Sequence, residues 1–191
     1  LVDQDYGKLG LLMAESERSL PLLREAYATA PTPAGKLRVA HVLGMLGDGT
    51  GIETLIETIR ATEDYGSENI SRYFPNITWL DSYIRAAGYS RDRRALPVLR
   101  EKAERLLAEK DFRWKHVRTV CMALEAMGDR ESAKIVAAFL VPPGRTGGAI
   151  TDVVADQRQR GRTGSLELVL GRVVYNLGDV DGLGEKIGRA S

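Results

Sequence analysis

The chain holds one cysteine and two histidines. A single thiol cannot close an internal disulfide, and so few soft ligands leave no His/Cys set at metal-binding spacing. Aromatic residues make up only 6%, so a core has to be built from Leu, Val, Ile and Ala, which suits packed helices. No apolar run approaches the ~20 residues of a membrane span. The opening Leu1-Val2-Asp3-Gln4-Asp5 is acidic where a signal peptide is basic and then apolar. These absences predict a soluble, cytoplasmic protein. Leu1 standing in place of an initiator Met is expected of a piece cut from something longer.

Charge is unevenly divided along the chain. Net charge is +1, yet residues 1–84 carry 7 Lys and Arg against 12 Asp and Glu, while residues 85–172 carry 18 against 11. A basic second half can steer an anionic partner. Charge of either sign is also what solvated helix faces carry.

What is present is a repeated pattern. Val39, Val42, Leu43 and Leu46 recur at helical spacing, and Gly47 follows as a residue suited to a left-handed helix end. Thr50 and Glu53 have the spacing of a capping box, after which Ile52, Leu55, Ile56 and Ile59 form a second apolar face. The unit is a helical hairpin. A less regular pair precedes it over residues 7–15 and 18–29, with Ser19 as an expected cap and Pro21 in the first turn.

Residues 63–76 are rich in turn formers and predict a loop in which Tyr65, Tyr73 and Phe74 seek burial. A third hairpin carries Trp79, Leu80, Tyr83, Ile84 and Ala87, a corner at Gly88, a cap at Asp92, and then Leu96, Leu99, Ala103, Leu106 and Leu107. A fourth carries Val117, Val120, Cys121 and Leu124, a corner at Gly128, and Ala133, Val136, Ala137 and Leu140. A fifth resumes with Leu166, Leu170, Val173, Val174 and Leu177 before Gly178. The corner glycines at 47, 88, 128 and 178 lie 41, 40 and 50 residues apart, and the long interval contains a Gly/Pro/Arg-rich insertion at 142–164. Helix pairs at ~40-residue spacing match HEAT and armadillo units. The expected fold is all-α, an α-α superhelix of about five HEAT-like hairpins forming one domain over 1–191.

Chemistry is harder to find. Gly47-Asp-Gly-Thr-Gly51 lacks the preceding strand that a phosphate-binding glycine loop needs. In the insertion, Gly-Arg-Thr-Gly occurs at 144–147 and 161–164, and Arg145, Arg158, Arg160 and Arg162 could present guanidinium forks to a carboxylate or phosphate. Such a composition is also that of an ordinary surface loop. Arg113, Trp114, Lys115 and Arg118 combine positive charge with a stacking ring, as nucleic-acid grooves do. Some HEAT-like proteins are DNA glycosylases, but Asp111 is the only acid nearby and the pI of about 8.0 is mild for a DNA binder. His41 and His116 have no ligand partner at metal spacing, Cys121 falls on an apolar face, and no Ser-His-Asp or Cys-His set assembles.

Three phrases carry a family resemblance. Val42-Leu-Gly-Met-Leu-Gly-Asp48 with Gly51-Ile-Glu-Thr-Leu55, Arg85-Ala-Ala-Gly-Tyr-Ser-Arg-Asp92 with Arg94-Ala-Leu-Pro-Val-Leu99, and Tyr175-Asn-Leu-Gly-Asp-Val-Asp-Gly-Leu-Gly184 resemble the helical C-terminal region of bacterial FAD-dependent oxidoreductases. The resemblance spans roughly Tyr6 to Ile187. It implies a segment without cofactor or catalytic residue of its own, FAD belonging to a separate domain of the parent protein. It also implies a protein partner, such as that flavin domain. The expectation is therefore a non-catalytic scaffold or interaction module. The alternatives are a free-standing adaptor binding an acidic protein or nucleic acid through its basic second half, and, behind it, a glycosylase.

Overall fold

A computed structural model describes residues 12, 14–63, 65, 69–71, 74–109, 114–140 and 168–178. They are mostly helical and divide into two compact units, 1–99 and 100–191. Among them no helix is long and apolar enough to cross a membrane.

In the first unit, α1 (Ser16–Ala28) begins three residues before its expected cap. Ser19 lies inside the helix and its hydroxyl donates to the Glu15 carbonyl at 2.9 Å, the back-bonding a serine falls into once its own amide is helical. Pro21 consequently sits within the helix rather than in its first turn. Helix α2 (Pro33–Met45) starts at Thr32, whose side chain accepts from the Gly35 amide at 3.1 Å, with proline in the first helical position. Its buried residues are Ala40, Leu43 and Gly44, whereas Val39, Val42 and Leu46 are only partly covered. The helix is rotated from its expected face because small residues allow close contact. An ideal Cβ on Gly51 would come within 2.4 Å of the Ala40 Cβ, and one on Gly44 within 2.7 Å of the Ala86 carbonyl oxygen.

Helix α3 (Ile52–Ala61) buries the expected Ile52, Leu55, Ile56 and Ile59. Thr50 does not cap it. Gly51 is the N-cap residue, and it is Asp48 that accepts the Thr50 amide at 2.8 Å. Part of the stretch expected as loop forms a small antiparallel hairpin, β1 (Asn69–Ser71) with β2 (Phe74–Thr78), Asn69 lying opposite Thr78. Tyr65 is buried, and Tyr73 lies outside the described residues.

Helix α4 (Trp79–Tyr89) opens with a capping box that its sequence signal, Thr-x-x-Asp, could have given. Thr78 Oγ1 accepts from the Asp81 amide at 3.2 Å, and Asp81 Oδ2 accepts from the Thr78 amide at 2.9 Å. The expected corner at Gly88 is displaced. Gly88 is a buried helical residue, and the left-handed position falls on Arg91, with φ of 56°. Asp92 then caps a 3-10 turn, Arg93–Ala95, by accepting the Arg94 amide at 3.0 Å. Helix α5 (Leu96–Ala108) follows, and the boundary between the units falls inside it. Helix α2 packs on α1, α3 and α4 within the first unit.

In the second unit, α6 (Trp114–Met127) buries Val117, Val120, Cys121 and Leu124 as expected. Gly128 turns the chain with φ of 64°, and α7 (Ser132–Ala138) buries Ala133, Val136 and Ala137. A final helix, α8 (168–176), contributes Leu170, Val173 and Val174 to the core, and Gly178 has φ of 84°.

Candidate functional site

Two arrangements of polar side chains stand out. The first recurs at the corners. A residue in the left-handed region is followed by an aspartate at Gly47-Asp48, Arg91-Asp92 and Gly128-Asp129. The geometry follows locally, because a left-handed residue ends the helix and the next carboxylate meets the amides that open the following segment. Asp129 accepts from both the amide and the hydroxyl of Ser132, at 3.0 and 2.6 Å. Each aspartate also holds an arginine. Arg24 Nε and Nη2 lie 2.8 and 2.5 Å from Asp48 Oδ2, Arg100 pairs with Asp129, and Arg94 pairs with Asp92 and Glu53.

Burial pushes the Asp48 and Asp129 carboxyls up, but the bonds from Thr50 and Arg24, and from Arg100 and Ser132, hold both below the usual carboxylate range. Asp92 is lowered chiefly by its bond from Arg94. These are well-satisfied structural carboxylates.

The second arrangement lies along the seam between α2 and α4. The close approach of Gly44 to Ala86 brings the two helices together, and one turn toward the start of each helix His41 Nε2 and Ser82 Oγ are 2.6 Å apart. Trp79 and Tyr83 stack with centroids 6.0 Å apart, and the His41 ring stands edge-on to both, 6.4 and 5.5 Å away. Trp79 and Tyr83 remain partly exposed. Burial, assisted by the charge of Arg85, lowers the His41 pKa from 6.5 to about 4. At neutral pH His41 is therefore an uncharged and weak base. Its bond with Ser82 ties two helices together, and a base so depressed is poorly matched to activating a serine at that pH.

Arg85 lies over the Tyr89 ring at 5.5 Å and donates to the Tyr89 hydroxyl at 3.1 Å. Its Nε is buried with no acceptor among the described residues. Arg38 is exposed on α2, close enough that its charge acts on Tyr83, whose pKa burial raises. Arg24, Arg94, Arg100 and Arg172 all hold carboxylates, whereas among the described residues none pairs with Arg38 or Arg85.

Of the residues singled out from sequence, Arg113, Arg145, Arg158, Arg160 and Arg162 lie outside the described residues. Trp114 and Lys115 open α6, and Arg118 is exposed on it. Cys121 is fully buried, and burial drives its thiol pKa strongly upward. Among the described residues no three His, Cys, Asp or Glu are grouped to hold a metal. The His41 and Ser82 pairing was missed because the two are 41 residues apart. That distance is one repeat interval, so a reading that laid successive units side by side had a signal for it. Comparison with protein-family models, curated proteins and solved structures finds no match.

Proposed function

We propose that the chain is a non-catalytic interaction module built of stacked HEAT-like hairpins, and that it serves as the helical C-terminal region of an FAD-dependent oxidoreductase. The observation that carries the repeat reading is the corner: helix, left-handed residue, aspartate, next helix, three times in the described residues. Arg24 on Asp48 and Arg100 on Asp129 supply the matching link from the helix that precedes each hairpin. The oxidoreductase assignment rests on the three phrases around Asp48, Asp92 and Gly178. In that role the flavin domain would carry the redox chemistry, and this segment would present side chains to a partner.

Small-angle scattering tests the architecture. A compact chain of this length has a radius of gyration of about 16 Å, and stacked hairpins are expected to exceed it clearly. A value at the compact limit rules the reading out. Flavin colour retained by the purified chain would equally overturn its non-catalytic role. A free-standing adaptor binding through the basic second half is the second reading, and Arg85, which no acid pairs with among the described residues, favours it.

A further inference from the structure

We infer that the α2–α4 seam is a docking surface for an acidic peptide segment bearing an aromatic anchor, with Arg38 receiving a carboxylate near the Tyr83 ring and Arg85 another beside the Tyr89 ring. The inference deepens the interaction-module reading and rests on it.

Three observations meet here. Protein contacts are richest in Trp, Tyr and Arg, because these offer large area at small entropy cost and a planar charged fork. In a chain with only 6% aromatic residues, Trp79, Tyr83 and Tyr89 share one helix. Charge is the second point. The corner arginines are spent on aspartates, but Arg85 is partly buried, and among the described residues its Nε has no acceptor while its guanidinium meets the Tyr89 ring and hydroxyl. A half-desolvated cation without an anion gains more from a carboxylate than a solvated surface arginine does. Third, His41 is neutral, and the sequences of α2 and α4 hold no acid except Asp81, which is engaged in its capping box.

A nucleic acid fits less well. Base stacking needs an open ring face, and Trp79 and Tyr83 each already turn one face to the other, with His41 at a steep angle to both. Nucleic acid also repeats its charge at every nucleotide, and residues 1–84 carry 12 acids against 7 bases. A peptide can confine its carboxylates to the two arginines.

Binding carries its own signature. A carboxylate beside Arg85 offsets the charge that helps hold His41 neutral, so the His41 pKa rises on binding. The test is titration of the intact chain with the peptide acetyl-Glu-Glu-Phe-Glu-Glu-amide, following tryptophan fluorescence and the His41 ring resonance. With two histidines in the chain, an H41Q variant assigns that signal. Saturable binding with an upward-moving His41 pKa, weakened about tenfold in R85Q and further in R38Q/R85Q, is expected. A matched Lys peptide should not bind. No response to millimolar Glu peptide, or binding that R38Q/R85Q leaves unchanged, overturns the inference. Binding of oligothymidylate through the same arginines in place of the peptide overturns it too. Extended scattering together with absent peptide binding would discard this surface and leave the repeat module standing.

Discussion

Arg24 grips Asp48 with two nitrogens on one oxygen, Nε at 2.8 Å and Nη2 at 2.5 Å, while the other oxygen takes the Thr50 amide at 2.8 Å. The aspartate is 8% exposed and the arginine side chain about half exposed. Their removal is therefore unequal. D48A loses the acceptor that closes the turn onto the Thr50 amide, a loss of about 1–2 kcal/mol. R24A loses a pair whose cation is solvated, about 1 kcal/mol or less. Urea unfolding of both variants measures the difference, and equal losses would show that the ion pair, not the turn, is what matters.

Arg91 occupies the left-handed region where the other described corners use glycine. A side chain there costs about 1–2 kcal/mol, partly returned by the greater freedom of an unfolded glycine chain. R91G is expected to stabilise the protein by about 0.5–1 kcal/mol. Its complement is G128A, where an added Cβ meets nothing within 4 Å, so its destabilisation reports backbone strain alone. A rise in melting temperature for R91G beside a fall for G128A is the expected pair.

His41 makes stability depend on pH in a defined direction. Its folded pKa is lowered from 6.5 to about 4 by burial and by Arg85, so between those values the unfolded chain binds more protons. Stability therefore falls as pH drops from about 6.5 to about 4, by roughly 3 kcal/mol in all. The corner aspartates are depressed carboxylates and add their losses only as pH falls further, below the ordinary carboxylate range. Denaturant unfolding at pH 7 and 4.5 should show the loss in wild type and most of it absent in H41Q.

Gly44 sets the distance between α2 and α4. An added methyl would sit 2.7 Å from the Ala86 carbonyl oxygen and 3.1 Å from its Cβ, and backbone yields little. G44A is expected to cost about 1–3 kcal/mol and to return the His41 pKa toward 6.5 as the seam opens. G171A, in α8 with nothing within 4 Å of its Cβ, should instead gain several tenths of a kcal/mol from helix propensity. Loss of similar size in both would remove the steric explanation.

Much of the helical order was legible because apolar spacing states it directly. Ile52, Leu55, Ile56 and Ile59 were readable as one face, and Val117, Val120, Cys121 and Leu124 as another. What spacing could not state was which face of α2 goes in, since Ala40 and Gly44 win by smallness where hydrophobicity favours Val39 and Val42. The Gly88 corner failed for a related reason. A glycine wanted for thinness inside a helix reads the same as one wanted for its backbone, and the turn it was credited with is made by Arg91 three residues later. The seam residues were individually visible, but the contact between His41 and Ser82 depends on helix rotation that no local pattern encodes.

Glu125 offers one oxygen to Arg172 at 2.9 Å and the other to Asn176 at 2.6 Å. Those donors are four residues apart, one helical turn, so a single carboxylate reads the phase of α8 at two points. Sliding or rolling the helix by one residue would lose both bonds at once, whereas Leu, Val and Val would find nearly equivalent apolar company after such a slip. Greasy packing brings this helix home, and a two-pronged key fixes where along its length it stops.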